Sequence, residues 1–277
     1  SESSREAVEK ILKKIRRDFE LKFSELFTAA CEIATIELSE AFVRAEDGYD
    51  NSGIIVETRR DIKKVLFSLD LSLGCAKRAT EGGFDAVVTH HPAIYNPISC
   101  LNYTDTAPVL ICAGNDIGVI SMHLNLDIAD RGIDFSLAEK LGAKEQKIIT
   151  VISGNNGYGR LFEIEEVPFF AYKRRVSEEF GTENIMVFGK KDKAIKSVAS
   201  FCGAGCDIKE LDLASGADLI VSADIKHHVI KEALDRGFAV MQLTHYSSEV
   251  FGMKRFADDL KAKLSGVEME FFDDEQY

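Results

Sequence analysis

The sequence predicts an α/β fold of two related halves, each with a parallel or mixed sheet, preceded by an N-terminal helical segment. The first observation is that short apolar runs alternate with helical patterns from Lys63 onward, as in parallel α/β sheets. The second is an internal repeat, because residues 63–89 align with residues 196–222 at a constant offset of 133. The third is that apolar residues recur at helical spacing through residues 5–45.

Length and charge narrow the class of protein. The chain has 277 residues, 45% of them hydrophobic and 29% charged, which is enough to bury a full core. Its net charge of −12 argues against a nucleic-acid backbone or an anionic membrane as the main partner. No run approaches the roughly 18 apolar residues of a membrane span, and the first residues lack a signal-peptide pattern. Six cysteines without a C-x-x-C pair favour reduced thiols and a cytoplasmic location.

Residues 1–45 are predicted to be an N-terminal helical extension. Apolar side chains from Val8 to Phe27 recur at helical spacing, and Glu and Lys residues occupy the other face. This pattern is more typical of a packed amphipathic helix pair than of an arm that binds a partner protein. A turn signal at 48–53 then leads into a short strand at Ile54–Val56.

Residues 46–145 are predicted to form the first α/β domain. Prolines at 92, 97 and 108 stiffen the loop after His91, and an apolar run at 109–112 precedes a turn. The other predicted elements are strands at 65–70, 86–89 and 119–122 and helices at 74–82 and 134–141.

Residues 146–277 are predicted to form the second α/β domain, with chain ends that can cross between the two domains. Gly154–Gly157 has the composition of a hairpin turn. The predicted strands lie around 147–152, 160–164, 185–188, 198–201 and 239–243.

The repeat extends to the polar residues that follow the strands. A histidine pair follows each copy, at 90–91 and at 227–228. At an offset of 122, His123-x-x-x-Asp127 aligns with His245-x-x-x-Glu249. We therefore expect two related halves whose strand ends line a shared cleft.

The histidines indicate a metal site, because all six close or closely follow a short apolar run. Two adjacent histidines such as His90 and His91 are energetically unfavourable as core residues. At a strand end broken by Pro92, their side chains can turn toward two neighbouring ions. The spacing of His245 and Glu249 places both on one face of a helical turn. Imidazole and carboxylate ligands suit zinc, iron or manganese. Two such ions about 3.5–4 Å apart clamp an oxygen and activate water, which is hydrolytic chemistry.

Several of these residues have a second interpretation. His123 fits a hydrogen-bonded core residue, and Asp127 or Glu249 alone would fit a carboxylate in the first turn of a helix. The pair at 227–228 fits either a substrate contact or a plain helix start. The turn Gly203–Gly205 could cradle a phosphate with its amides, although a tight turn explains it equally well. Cys202 and Cys206, which flank that turn, are weaker candidates for thiolate ligands.

The motifs together resemble a known family over residues 46–265. They are Asp50-Asn51-Ser52-Gly53, Thr89-His90-His91-Pro92, His123-Leu124-Asn125-Leu126-Asp127, Cys202-Gly203-Ala204-Gly205, Ser222-Ala223-Asp224-Ile225-Lys226-His227-His228 and His245-Tyr246-Ser247-Ser248-Glu249. In this order they are similar to the Nif-three-like proteins, the GTP cyclohydrolase I type 2 homologues. The resemblance implies two interlocked α/β domains, a ring-shaped homohexamer and a dinuclear metal centre. By motif, the ligands would be His90, His91, Asp127, His245 and a bridging Glu249.

The function expected from this resemblance is hydrolysis of a nucleotide or related heterocycle, such as opening of the guanine ring of GTP, with two divalent ions. His123 or His228 would carry the proton, and Gly203 and Gly205 would hold a phosphate. The alternative is a non-catalytic metal-binding scaffold, or a metal-trafficking or regulatory protein. The chain departs from the family at Ala223-Asp224, where the usual pair is Gly-Glu.

Overall fold

A computed structural model describes residues 21–274 of the chain. Within that range the chain forms ten helices and thirteen strands. The helices are α1 (Phe23–Cys31), α2 (Ile36–Glu46), α3 (Leu73–Glu81), α4 (Ala107–Gly114), α5 (Leu124–Ile128), α6 (Ile133–Lys140), α7 (Phe169–Phe180), α8 (Ile208–Leu213), α9 (His227–Asp235) and α10 (His245–Lys263). The strands are β1 (Leu21–Lys22), β2 (Gly53–Val56), β3 (Asp61–Ile62), β4 (Lys64–Ser68), β5 (Ala86–Thr89), β6 (Gly118–Ser121), β7 (Gln146–Ser153), β8 (Asn156–Pro168), β9 (Met186–Phe188), β10 (Ala194–Ser200), β11 (Leu219–Ala223), β12 (Ala239–Leu243) and β13 (Glu268–Phe271).

The described residues divide into two compact units, and the chain passes from one to the other four times. The first unit contains residues 21–33, 53–122 and 257–274, and the second contains 34–52 and 123–256. The predicted domain boundaries at 45/46 and 145/146 stay a prediction.

The first unit is built on a five-stranded sheet in the order β13-β4-β5-β6-β2. Strands β13, β4, β5 and β6 are parallel, whereas β2 is antiparallel to β6. Residues of β4, β5 and β6 are almost all buried, which explains their continuous apolar sequences. On one face Leu66, Val87 and Val119 pack with Ala76 of α3 and with Phe84. The predicted strands at 65–70, 86–89 and 119–122 are confirmed within two residues.

The second unit is built on a six-stranded sheet in the order β7-β8-β10-β11-β12-β9. Strands β10, β11 and β12 are parallel, and β8 and β9 are antiparallel to their neighbours. Ala199, Ile220 and Val240 point to one face and pack against Val229 and Ala233 of α9. β7 and β8 form the predicted hairpin, with Ser153 opposite Asn156.

The internal repeat is confirmed as a structural repeat. Strands β4-β5-β6 and β10-β11-β12 are each a parallel triplet in chain order, flanked by an antiparallel strand. One carboxylate oxygen of Asp85 accepts the amides of Lys63 and Lys64 at 2.9 and 3.0 Å. One oxygen of Asp218, 133 residues later, accepts the amides of Lys196 and Ser197 at 2.9 Å each. The two halves therefore share the strand order and an aspartate whose carboxylate accepts two consecutive backbone amides.

The N-terminal prediction is confirmed in part. Residues 23–46 contain the helix pair α1 and α2, but a break at 32–35 separates them, and Thr35 precedes the first turn of α2. The part of the predicted helix before residue 21 lies outside the described residues. The apolar run at 109–112 belongs to helix α4, whose first turn carries a proline, as proline allows there. Between residues 21 and 274, no helix has the length and apolar character that crossing a bilayer requires.

Candidate functional site

In the first unit, His90 and His91 follow strand β5 at the point where its pairing stops. The Thr89 hydroxyl donates to the His91 carbonyl at 2.8 Å, which turns the backbone out of the strand. The two imidazole rings therefore do not point to opposite faces. Their centroids lie 4.9 Å apart, and they offer ring nitrogens within 4.8 Å of each other. His90 is fully buried, whereas His91 is partly exposed.

Each of these two rings is oriented through its Nδ1 atom. His90 Nδ1 donates to the Met122 carbonyl at 2.8 Å, and His91 Nδ1 lies 2.7 Å from the Asp70 carboxylate. A carbonyl or carboxylate oxygen only accepts, so the proton of a neutral ring is on Nδ1 and the lone pair is on Nε2. This is the tautomer in which histidine binds a metal ion through Nε2.

In the second unit, His123 and His245 are oriented in the same way. His123 precedes α5, and its Nδ1 lies 2.7 Å from Asp50. His245 begins α10, and its Nδ1 lies 2.7 Å from Asp224, which adopts a left-handed backbone with φ 46°. Four of the six histidines thus have Nδ1 bound to an oxygen that accepts its proton.

His245 and Glu249 lie on one face of α10, as their spacing predicts. His245 Nε2 is 3.1 Å from Glu249 Oε1. Burial lowers the pKa of His245, but Glu249 and Asp224 outweigh it and raise the pKa to about 9.

Asp127 supplies a second buried carboxylate in this unit. It lies in α5, 5% exposed, and offers an oxygen within 4.8 Å of an oxygen of Glu249, which is 3% exposed. Cys202 Sγ donates to Asp127 Oδ1 at 3.3 Å. Carboxylates buried this close to one another are stabilised by a bound cation. The second unit therefore holds a His/Asp/Glu cluster whose chemistry fits a divalent metal ion.

The positions of the remaining predicted site residues, which are His228, Gly203, Gly205 and Cys206, fit structural roles better than proton transfer, phosphate binding or metal binding. His228 is exposed in the first turn of α9, which fits the plain helix start. The Gly203 amide donates to Ser248 Oγ at 3.0 Å, and the Gly205 amide donates to the Cys202 carbonyl at 3.2 Å. Both amides already have protein acceptors, which favours a tight turn over a phosphate cradle. Burial raises the pKa of the Cys206 thiol to about 12, which disfavours a thiolate ligand there.

The sequence predicted no role for the three aspartates that orient the histidines, Asp50, Asp70 and Asp224, although Asp50 and Asp224 lie within the quoted motifs. One signal could have found two of them. Asp70 and His91 are 21 residues apart, and so are Asp224 and His245. The equal separation places an aspartate one strand before each of these histidines.

Asp50 gives a pH dependence of stability that can be measured. Burial raises its pKa, but hydrogen bonds from His123, Ser39 and Ser52 outweigh this and lower the pKa to about 2 from the usual 3.8. A depressed carboxyl pKa stabilises the fold above pH 3.8, and that contribution is lost as pH falls toward 2. We expect Asp50→Asn to lower the melting temperature at pH 6, with the difference from wild type shrinking between pH 4 and pH 2.

Thermal unfolding followed by circular dichroism across this pH range checks the expectation. Asp105→Asn, in an exposed loop, is the control and should give no such trend. A difference for Asp50→Asn that stays constant from pH 6 to pH 2 would contradict the assignment.

Comparison with known proteins places these features in a family. Residues 28–276 match the model of the Duf34/NIF3 (NGG1p interacting factor 3) family. A protein of Clostridium perfringens called GTP cyclohydrolase 1 type 2 homolog is 27% identical over 258 residues, covering 91% of this chain and 95% of that protein. One of the same name from Methanocaldococcus jannaschii is 32% identical, covering 78% and 87%.

A solved structure has the same fold. It is that of hypothetical protein SA1388 from Staphylococcus aureus, with a TM-score of 0.81 and 21% identity. The similarity covers 93% of this chain and 99% of that one. The match therefore extends over nearly the whole α/β architecture.

Proposed function

The chain belongs to the Duf34/NIF3 family, and from this membership and the histidine geometry we propose that it is a metal-dependent hydrolase of a nucleotide or related heterocycle. His90 and His91 of the first unit and Asp127, His245 and Glu249 of the second would hold two divalent ions, of zinc, iron or manganese. A nucleotide-like small molecule as partner and a homohexameric assembly are part of the same proposal.

The observation that carries the proposal is the shared orientation of the histidines. His90, His91, His123 and His245 each bind an oxygen through Nδ1, at 2.7 or 2.8 Å. Histidines that only fill a core do not need one tautomer. Histidines that bind metal through Nε2 do, and a carboxylate or carbonyl on the other nitrogen is their usual companion.

When bound, the two ions would supply Lewis-acid activation of water and of a polarised oxygen of the substrate. The residues of the chain would hold the ions and orient the side chains that bind them. Asp70 and Asp224 fix the rings of His91 and His245. His123, whose ring Asp50 orients through Nδ1, would be the proton carrier rather than His228, which is exposed at the start of α9.

A second candidate function is metal binding without turnover, as in a scaffold or metal carrier. The amides of Gly203 and Gly205 favour it, because both already donate within the protein and offer no phosphate cradle. In this case the ligands would be the same, but no nucleotide would be bound at that turn.

One experiment separates these functions. The metal-free chain is loaded in turn with zinc, iron(II) and manganese, and bound metal is measured by plasma mass spectrometry. Each sample is then incubated with GTP and with a panel of phosphoesters and cyclic amides. About two ions per chain with turnover supports the hydrolase. The same metal content with every substrate unchanged supports the carrier, and no bound metal after loading contradicts both.

A further inference from the structure

The turn Cys202–Gly205, called the 202–205 turn from here on, contacts each of the three proposed ligands of the second unit. Cys202 Sγ donates to Asp127. A Cβ atom on Gly203 would lie 2.4 Å from Glu249 Oε1 and 3.1 Å from His245 Nε2, so these two side chains occupy the space that a side chain at position 203 would need. Gly203 also has φ +52°, a conformation that glycine adopts without strain.

The backbone of the turn is tied to both neighbouring elements. The Gly203 carbonyl accepts the Ala223 amide at 2.9 Å and the Ser222 hydroxyl at 3.1 Å, which links it to the end of β11. The Gly203 amide donates to Ser248 Oγ, and that hydroxyl donates to the His245 carbonyl at 2.7 Å. The turn is therefore fixed relative to the first residues of α10, where two of the ligands lie.

Asp134 holds the other side of the turn. It is fully buried in α6, and its Oδ1 accepts the Cys202 amide at 2.8 Å while its Oδ2 accepts the Gly159 amide at 2.6 Å. Arg160, 1% exposed, donates through Nη1 to the carbonyls of Gly157 and Gly159 at 2.8 and 3.1 Å. A buried carboxylate with both oxygens on backbone amides is a rigid link between β8 and the turn.

From these contacts we propose that the backbone of the 202–205 turn supports the side chains of Asp127, His245 and Glu249 and fixes their positions. We call this supporting backbone the seat, and we propose that Asp134 and Arg160 are positioning residues that hold it. The inference rests on the proposed metal site and deepens it. None of the three positioning groups, the Gly203 backbone, Asp134 and Arg160, is required to contact the ion. They act by keeping the carboxylates and the imidazole in place before the ion arrives.

The first test compares two aspartates that each accept two backbone amides. Asp134→Asn replaces one acceptor oxygen with an NH₂ group, which faces an amide donor and releases either Cys202 or Gly159. Asp218→Asn is the control in the same unit, away from the turn, where a single carboxylate oxygen accepts both amides, so the remaining oxygen of asparagine can keep both hydrogen bonds. We expect Asp134→Asn to lose thermal stability and to bind zinc about 10- to 100-fold more weakly in a chelator competition, whereas Asp218→Asn should keep the wild-type zinc affinity.

The second test uses two glycines with similar backbone angles. Gly203→Ala places a methyl group against Glu249, whereas Gly181→Ala has φ +67° and no heavy atom within 4 Å of the added carbon. Both carry the same type of backbone strain, and Gly203→Ala adds a steric overlap with Glu249, so its melting temperature should fall at least as far as that of Gly181→Ala. Only Gly203→Ala should weaken zinc binding by more than about 10-fold.

A readout without metal completes the design. In the metal-free protein, Asp134→Asn should speed hydrogen exchange of the Cys202 or Gly159 amide relative to Asp218→Asn. If wild type binds no metal, the proposed function fails. If wild type binds metal and both Asp134→Asn and Gly203→Ala retain its affinity, the seat proposal alone is wrong. Zinc binding weakened in both of these variants and unchanged in both controls supports it.

Discussion

Replacing Glu249 with glutamine is expected to remove most of the bound metal from the chain. The change keeps the shape of the side chain but removes the negative charge beside His245 Nε2 and Asp127. Loss of this proposed ligand should weaken zinc binding by more than about 100-fold, which exceeds the effect expected from changing a residue that only orients a ligand. In the metal-free variant, the lost repulsion from Asp127 is opposed by the lost charge pair with His245, so the melting temperature should stay close to that of wild type. Plasma mass spectrometry tests the expected loss of metal, and the melting temperature of the metal-free protein tests the expected stability.

A matched control lies in α9. His228 and Glu232 have the same four-residue spacing at the start of a helix, but His228 is exposed and Glu232 pairs with Arg236 on the surface. Glu232→Gln should leave metal content unchanged. Retention of wild-type zinc affinity by Glu249→Gln would show that Glu249 is not a ligand.

Replacing Gly205 with alanine is expected to destabilise the chain strongly. The added carbon would lie 1.0 Å from the Tyr158 hydroxyl oxygen, so the ring must move. That movement breaks the hydrogen bond from Tyr158 to the Cys202 carbonyl and disturbs the packing of its ring with Phe42 and Phe201. Overpacking and a lost buried hydrogen bond together should lower the free energy of unfolding by about 3 kcal/mol.

Thermal and urea unfolding measure this loss. Gly114→Ala is the control, because nothing lies within 4 Å of its added carbon, and it should change stability by less than about 0.5 kcal/mol. The double variant Gly205→Ala with Tyr158→Phe should recover part of the loss, since the overlapping oxygen is removed. If Gly205→Ala instead keeps full stability and loses nucleotide binding, Gly205 has the phosphate-binding role that its sequence also suggested.

The parts of the fold that the sequence predicts are those with a short-range signal. Buried parallel strands appear as continuous apolar runs, so β4, β5 and β6 could be located within two residues. A helix pair was predicted in residues 5–45, but the break between its helices was not located, because the apolar spacing continues on both sides of residues 32–35. The helix at 107–114 was not assigned because a short apolar run fits either a strand or a buried helix.

In the candidate site, too, the sequence predicts the contacts between residues close in the chain but not those between distant residues. His245 and Glu249 are four residues apart, so helix geometry alone places them together. The aspartates that orient the histidines lie 21 to 73 residues away in the chain, and pairing over such distances depends on tertiary structure. The glycines of the 202–205 turn show a further limit. In a sequence, a glycine that makes room for a ligand cannot be told from one that makes room for another part of the protein. At Gly205 the space is occupied by Tyr158, which hydrogen-bonds the Cys202 carbonyl 44 residues later in the chain.

The position of β13 has a consequence for how the protein is made on the ribosome. This strand pairs with β4, and Glu270 at its centre binds Arg78, 192 residues earlier in the chain. During synthesis, β4 therefore emerges long before its outer neighbour, and its edge is available to other chains. Closing the five-stranded sheet must wait until residues 268–271 have been translated, and a contact of such long range forms slowly. Nascent chains of this protein should therefore depend on chaperones to cover that edge until β13 has emerged.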